Sequence, residues 1–408
     1  MTTATIFELD PEGHRAAYAA ILARELLSLG IHVRVLGPSD LLSRDEGKFA
    51  FENLIGQIEF VGVPLDSPPD ARLKFSVLAD HVRSHVTDRI YVPYADGLAQ
   101  TWGATAFPSR SEIARTPTEG LLMRGAFAYL SPNKLKAWKA SLSAHLVGRS
   151  QWTLLHHLDP IAVKQMENWR SCSFKQVEVM PEAMAEPFEI ERDLACNELG
   201  IPHSLFTITC PGQISERKGC NHLIEAFDSI DSNDCQLVLF GKTSPLVERL
   251  LCGKYSNLVR NKKIVWRNKF ISDREFNLLF AASNLVCLPY PRHIGSASIL
   301  IKAAQYQKQT LCSDWGWMGW AANEFSLGKT CNVLDREHFR WCLRSFIESE
   351  TSTLDTLNRN AVEKRMGFLR FHTLDNHLAH WTESICDAEG ISQEKKATRW
   401  KTIRPKHG

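Results

Sequence analysis

A repeated alternation of short apolar runs with helical segments, joined by glycine-containing turns, most constrains this chain. It is clearest in the second half. Residues 205–210, 236–240, 264–266 and 285–288 read as buried strands, and residues 219–230 and 273–282 read as helices between them. Strands alternating with helices in this way favour a doubly wound parallel sheet with helices on both faces. Residues 284–319 carry the pattern furthest. An apolar run ends in Pro289-Tyr290-Pro291, followed by Arg292, His293 and the small-residue run Gly295-Ser296-Ala297-Ser298. A helix with Ile299, Leu300 and Ala303 follows, then a short strand at 310–312 and a loop at 314–319. A strand that ends in small, hydroxyl-rich residues at a helix start offers free N–H groups and the positive end of a helix dipole. That geometry suits an anion, above all a phosphate. Arg292 and Lys302 are the cations nearest that start. An ordinary connection with a serine cap reads equally well from this stretch alone.

The first half begins in the same grammar. Residues 5–9 read as a strand, and Tyr18, Ile21, Leu22, Leu26 and Leu29 mark one face of a helix. Gly30 stops that helix and residues 31–36 form the next strand, giving a β-α-β unit. The first strand–helix turn carries Gly13-His14-Arg15. Its single glycine excludes a dinucleotide fingerprint, yet ligands of open α/β sheets sit beyond strand carboxyl ends, so it is a candidate wall of a site. Strands at 58–63 and 89–92 flank a helix at 70–85, and Asp96 follows the second strand. Residues 102–120, rich in Gly, Pro, Ser, Thr and Arg, read as a long loop. A basic helix spans 133–149 with Leu135, Trp138, Leu142 and Leu146 in one stripe. Such a stripe either faces the core beneath a solvated basic face or lies on an anionic membrane. The first reading is favoured. His156, His157 and Asp159 close the strand at 151–155; their spacing is not that of metal ligands, and no metal is expected.

Composition excludes several classes. The 408 residues suit two domains, and 44% hydrophobic with 23% charged residues is ordinary for a globular protein. A formal net charge of +2 makes no global case for binding nucleic acid or a membrane. No apolar run approaches the ~18–20 residues that span a bilayer, and the N-terminus lacks the features of a signal peptide. Eleven cysteines scattered without a C-x-x-C pair read as reduced thiols, so a cytoplasmic location is expected.

The chemistry concentrates in the second half. Gly212-Gln213-Ile214-Ser215-Glu216-Arg217-Lys218-Gly219 follows a strand and precedes a helix, which can set two cations and helix N–H groups on a phosphate. Gly241 follows Leu237-Val238-Leu239-Phe240, and Asp314 to Gly319 follow another strand. With the turn at Gly295, these glycine-bearing loops belong to one carboxyl edge, which suggests a nucleotide-diphosphate site.

The order and spacing of these pieces resemble the retaining nucleotide-sugar glycosyltransferases of family 4, which have the GT-B fold. The matching residues are the 212–219 loop, Leu223-Ile224-Glu225-Ala226-Phe227, Leu237-Val238-Leu239-Phe240-Gly241, Ser272-Asp273-Arg274-Glu275-Phe276, Ala281-Ala282-Ser283-Asn284-Leu285 and Leu288-Pro289-Tyr290. The match covers about residues 181–385 and is weaker before them. It implies two Rossmann-like α/β domains facing across a cleft: an acceptor-binding domain at 1–180 and a nucleotide-sugar-binding domain at 181–370. A helix at 371–390 would cross back to the first domain, and 391–408 would be a basic tail. The resemblance implies transfer of a sugar from a nucleotide diphosphate sugar, UDP-linked for example, to a hydroxyl of a carbohydrate, lipid-linked or small-molecule acceptor. Configuration would be retained, with no metal or other cofactor. Arg217 and Lys218 would hold the diphosphate, and His157 and Asp159 would orient the reacting groups. Gly212, Gln213, Gly241, Arg292, His293, Gly295, Ser296, Ala297, Ser298 and Lys302 would line the donor site. Gly13, His14, Arg15, Asp96 and His156 would face the acceptor. A peripheral membrane contact is compatible with the basic helix. Two departures stand out: Ile294 and Lys302 occupy the places of the family's paired glutamates, and Gln213 that of its usual arginine. An active variant branch is favoured over a catalytically inactive protein that binds a nucleotide sugar or a partner transferase.

Overall fold

The computed structural model describes residues 2–10, 15–124, 134–167, 177–349, 357–392 and 397–400. The chain divides into two compact units, Met1–Ala183 with Asp375–Trp400, and Met184–Leu374.

The first unit holds β1 (Thr3–Phe7), β2 (His32–Pro38), β3 (Glu59–Val63), β4 (Arg89–Val92), β5 (Thr118–Leu122), β6 (Leu154–His157) and β7 (Val177–Val179). They form one sheet in the order β3-β2-β1-β4-β5-β6-β7. Every pairing is parallel. The helix Arg15–Ser28 joins β1 to β2 and buries Ala16, Ala19, Leu22 and Leu26. Gly30, at φ +76°, turns the chain into β2. The helix Leu374–Glu389 belongs to this unit rather than to the one that precedes it in sequence. Its Trp381, Ile385 and Cys386 join the core formed by Ile6, Leu22 and Val35.

The second unit holds β8 (Phe206–Thr209), β9 (Cys235–Phe240), β10 (Ile264–Arg267), β11 (Leu285–Leu288), β12 (Gln309–Ser313) and β13 (Lys329–Cys331). Their order is β10-β9-β8-β11-β12-β13, again parallel throughout. β9 shows why the sequence folds this way. All six of its residues are buried, as in a strand covered on both faces. Successive side chains alternate between faces. Leu237 and Leu239 join a core with Leu223, Phe227 and Phe339, while Val238 and Phe240 join one with Leu278 and Ala282. The helix Asp273–Ala282 starts at a reciprocal cap, in which the Ser272 hydroxyl accepts from Glu275 N–H and the Glu275 carboxylate accepts from Ser272 N–H.

Two expectations are corrected. Residues 102–120 are not a long loop: the helix Asp96–Ala104 enters the region, short helical turns follow, and β5 begins at Thr118. Glu119 and Gly120, both poor strand formers, sit in β5 because tertiary contacts hold them there. Arg89 and the Ser384 hydroxyl bond Glu119, and the Trp152 ring fills the space where a side chain on Gly120 would go. The helix Lys134–Arg149 does not bury its predicted stripe. Leu135, Trp138 and Leu142 are 61%, 61% and 42% exposed, while Ala144 and Val147 face the core. The tail is anchored in its described part: Thr398 N–H donates to Asn376 Oδ1 at 2.7 Å, and Trp400 is buried. Residues 393–396 and 401–408 of that tail lie outside the described residues.

Candidate functional site

A doubly wound sheet has one place where successive strands diverge to opposite sides, and ligands bind beyond the strand ends there. In the second unit that place lies between β8 and β11. Loop 211–219 leaves one of these strands and loop 289–297 the other. The sequence-predicted donor residues sit on these two loops and on the ends of their neighbours.

Glycine lets the loops meet backbone to backbone. A Cβ on Gly219 would lie 1.9 Å from the Pro289 carbonyl oxygen, and one on Gly241 would lie 2.3 Å from that of Gly212. The loops after β8 and β9 are also stitched together. Ile214 N–H donates to Lys242 O at 2.9 Å, Ser244 N–H to Ile214 O at 2.8 Å, and the Ser244 hydroxyl to the Glu216 carboxylate at 2.7 Å.

Lys218 is folded into this junction. It is only 6% exposed, and its ammonium donates to Pro211 O at 2.8 Å. The same nitrogen lies 5.7 Å from the centre of the Tyr290 ring and would be 2.7 Å from a Cβ on Gly212. Burial lowers its pKa, because a desolvated ammonium lacks its water. A nearby anion relieves that cost. Arg217, the other half of the basic pair, is exposed.

Loop 289–297 continues the wall. The Tyr290 and His293 rings meet edge to face at 5.4 Å, and His293 Nε2 is 2.9 Å from Ser296 O. Gly295 adopts φ +91°. The helix begins at Ser298 with Ala297 in the capping position and no side-chain cap, so the serine-capped turn does not form. Lys302 places its ammonium 5.3 Å from the Phe276 ring centre, and burial lowers its pKa. Phe276 also reaches to 3.6 Å from where a Gly212 Cβ would be. Phe276 thus links the Gly212 loop to Lys302, a role visible in the sequence only as an apolar residue on a helix. Gln213, Arg292 and Ser298 are exposed at the same edge.

In the first unit the divergence lies between β1 and β4. Glu8 follows β1 and is buried, and burial raises its carboxyl to about 8 despite Lys74 and Arg15. Glu8 Oε1 accepts from Asp10 N–H at 2.8 Å. Arg15 pairs with Asp10 and stacks over Tyr94, its guanidinium carbon 3.8 Å from the ring centre. Asp96 accepts from Met123 and Arg124 N–H at 3.1 and 2.9 Å, and burial raises it to about 6. Arg15 and Asp96 lie at this edge, with Glu8 and Lys74 beside Arg15. A lone acid closing an apolar strand, Phe7-Glu8-Leu9, was the available signal for Glu8. Gly13 and His14 lie outside the described residues.

The histidine pair splits. His157 Nδ1 accepts from Asp159 N–H at 2.8 Å, Asp159 Oδ1 accepts from Ile161 N–H at 2.8 Å, and burial keeps His157 neutral by lowering its pKa to about 3. His156 turns to the opposite face, 5.1 Å from the Trp381 ring and 3.7 Å from the Glu119 carboxylate. Alternation along β6 puts it in the core rather than toward an acceptor.

No family model and no curated protein sequence matches the chain. Solved structures do match. A glycosyltransferase from Rickettsia africae superposes with a TM-score of 0.67 at 14% identity, covering 96% of this chain and 99% of that one. Alr3699/HepE from Anabaena, in complex with UDP, gives 0.67 at 14% identity over 95% and 100%. Sucrose-phosphate synthase from Thermosynechococcus elongatus gives 0.67 at 13% identity over 96% and 100%. The fold is thus the GT-B fold of these glycosyltransferases, with parallel sheets of seven and six strands.

Proposed function

We propose that the protein is a glycosyltransferase that moves a sugar from a nucleotide diphosphate sugar to an acceptor hydroxyl with retention of configuration. The observation that carries this reading is the junction between β8 and β11. Glycine backbones meet there, and a buried lysine ammonium rests against Gly212 and Tyr290. The Anabaena protein of the same fold was solved with UDP and with UDP-glucose, which supports a UDP-linked donor. The departing diphosphate gains charge as the sugar becomes oxocarbenium-like. Fixed cations then stabilise the transition state more than the ground state. Lys218 and Arg217 supply that charge, with the adjoining helix starts, and the step needs no metal. Lys302, where the resembling family has a carboxylate, meets phosphate rather than ribose, since an ammonium accepts no hydrogen bond. Glu8, Arg15, Asp96, His157 and Asp159 serve the acceptor side.

The test is nucleotide release from candidate UDP- and GDP-sugars by wild type and by Lys218→Ala. Loss of a fixed cation at the leaving group lowers turnover ~100–1000-fold. Equal activity in the variant removes Lys218 from the phosphate site, and no turnover of any donor sinks the transferase reading. A protein that binds nucleotide sugar without turnover is the second reading, favoured by Ile294 and Lys302 where paired carboxylates are expected.

The helix Lys134–Arg149 is basic. It carries no acid, and Leu135 and Trp138 stand in solvent beside exposed Lys134 and Lys139. We assign it a contact with anionic lipid. Wild type should co-sediment with vesicles containing phosphatidylserine at low salt, and Trp138→Ala should not. Equal sedimentation of the two proteins would remove the assignment.

A further inference from the structure

Cys210 follows β8, and Cys220 opens the helix Cys220–Asp228. They bracket loop 211–219, which holds Gly212, Arg217 and Lys218. Both are fully buried, yet their sulfurs lie 3.7 Å apart, within thiol–thiol contact. We propose that Cys210 and Cys220 form a redox pair whose disulfide reshapes the donor loop and weakens nucleotide binding. The consequence for binding rests on the transferase reading; the disulfide does not.

Position assigns the roles of the two thiols: Cys220 opens a helix two residues after Lys218, and Cys210 follows a strand. The Cys210 thiol holds Cys220 below the ordinary thiol range, helped by the N–H groups of Ser215 and Cys220 itself and by Lys218. Cys210 is pushed up, first by the same contact and then by burial. A thiolate at a helix start beside a lysine is the form that attacks an oxidant. With hydrogen peroxide, the Cys220 thiolate sulfur bonds one peroxide oxygen. The O–O bond breaks, and hydroxide leaves and takes a proton to become water. The Cys210 sulfur then attacks the Cys220 sulfenic acid, forming the S–S bond and releasing a second water with the Cys210 proton. Two thiols lose two electrons and one peroxide gains them. A dithiol reductant reverses the step by exchange.

The structural consequence follows from the lack of slack. An S–S bond is about 2.05 Å long, so the loop ends must draw together. Gly219 already lies against the Pro289 carbonyl and Gly241 against that of Gly212, so movement of the ends displaces those contacts. Lys218, whose ammonium bonds Pro211 O, moves with them.

The test treats the full chain with hydrogen peroxide, blocks free thiols and digests with trypsin. Cleavage after Arg217 and Lys218 separates the two cysteines into different peptides. The expected product is a Cys210–Cys220 linked pair, lighter by two hydrogens and resolved by dithiothreitol. Oxidation should weaken UDP binding at least ~10-fold, with recovery on reduction, and Cys210→Ala should abolish that response. Oxidation confined to other cysteines, such as exposed Cys252, overturns the pair. Linkage with unchanged UDP affinity overturns the control of binding. If reduced protein binds no nucleotide diphosphate, the transferase reading fails. The redox pair is then judged by the linkage and by the rate at which trypsin cuts native protein at Arg217, which oxidation should change; an unchanged rate overturns the loop's rearrangement.

Discussion

The two units share their strand order apart from the extra edge strand β7 of the first, and they line the divergence point with different chemistry. In the second unit the edge between β8 and β11 is made of glycine backbone, a buried lysine and aromatic rings. In the first, the edge between β1 and β4 is made of Glu8, Asp10, Arg15, Lys74 and Tyr94. The first edge pairs its charges internally: Arg15 and Lys74 both lie at the Asp10 carboxylate, and burial disfavours the charged form of Glu8. The second leaves a desolvated cation held against a carbonyl and a ring. An edge of the second kind suits an anion, and an edge of the first kind suits a neutral, hydroxyl-bearing group. A parallel sheet fixes where a site is, and the residues after each strand decide what it takes.

The largest effect should come from breaking the backbone contact. Gly219→Ala forces a Cβ to within 1.9 Å of the Pro289 carbonyl at φ +71°. Steric strain of this kind costs roughly 2–4 kcal/mol, read as a drop in the thermal unfolding midpoint and loss of nucleotide binding. Gly30→Ala has a positive φ but nothing within 4 Å, so it should cost only about 1 kcal/mol. Equal losses would show that close approach is not what the second edge depends on.

Next comes charge. Lys218→Met keeps the buried stem beside Tyr290 and removes the cation, so nucleotide diphosphate affinity should fall ~10–100-fold while the fold is retained. Arg217→Ala, at an exposed position, should lose less. If Arg217→Ala is the more damaging change, the assignment within the basic pair is reversed.

The first edge is tested by pH. Burial raises Glu8 in the folded chain to about 8, well above its unfolded value. The folded state therefore binds more protons than the unfolded state between about pH 4.5 and 8. Glu8 thus stabilises least at high pH: stability falls as pH rises through that window and levels off above it. The slope from this one group is at most about 1.4 kcal/mol per pH unit. Glu8→Gln should flatten that fall in thermal melts, and an unchanged profile would mean that Glu8 is already ionised at neutral pH.

The second unit was legible because Leu237–Phe240 and Leu285–Leu288 are continuous apolar runs ended by Gly241 and Pro289. Burial on both faces leaves little room for another reading of 236–240 or 285–288. The first unit was less so. Thr118-Glu119-Gly120 forms a strand only because Arg89, Ser384 and Trp152, far away in sequence, provide for its acid and its glycine. The helix Lys134–Arg149 has the right period, but period alone does not say which face a neighbour covers. At the site, Gly212, Gly241, Lys218 and Lys302 were readable as residue types at strand ends. The fold of Lys218 beneath its own loop, and Phe276 as the link to Lys302, are tertiary facts with no local signature.

The most direct test of the central claim is a calorimetric titration of UDP and GDP into wild type and Lys218→Met at fixed ionic strength. Saturable binding of at least one of them to wild type is expected, competed by the matching nucleotide sugar and weakened at least about tenfold in the variant. No binding of either nucleotide to wild type, or equal affinity in both proteins, would overturn the donor-site assignment.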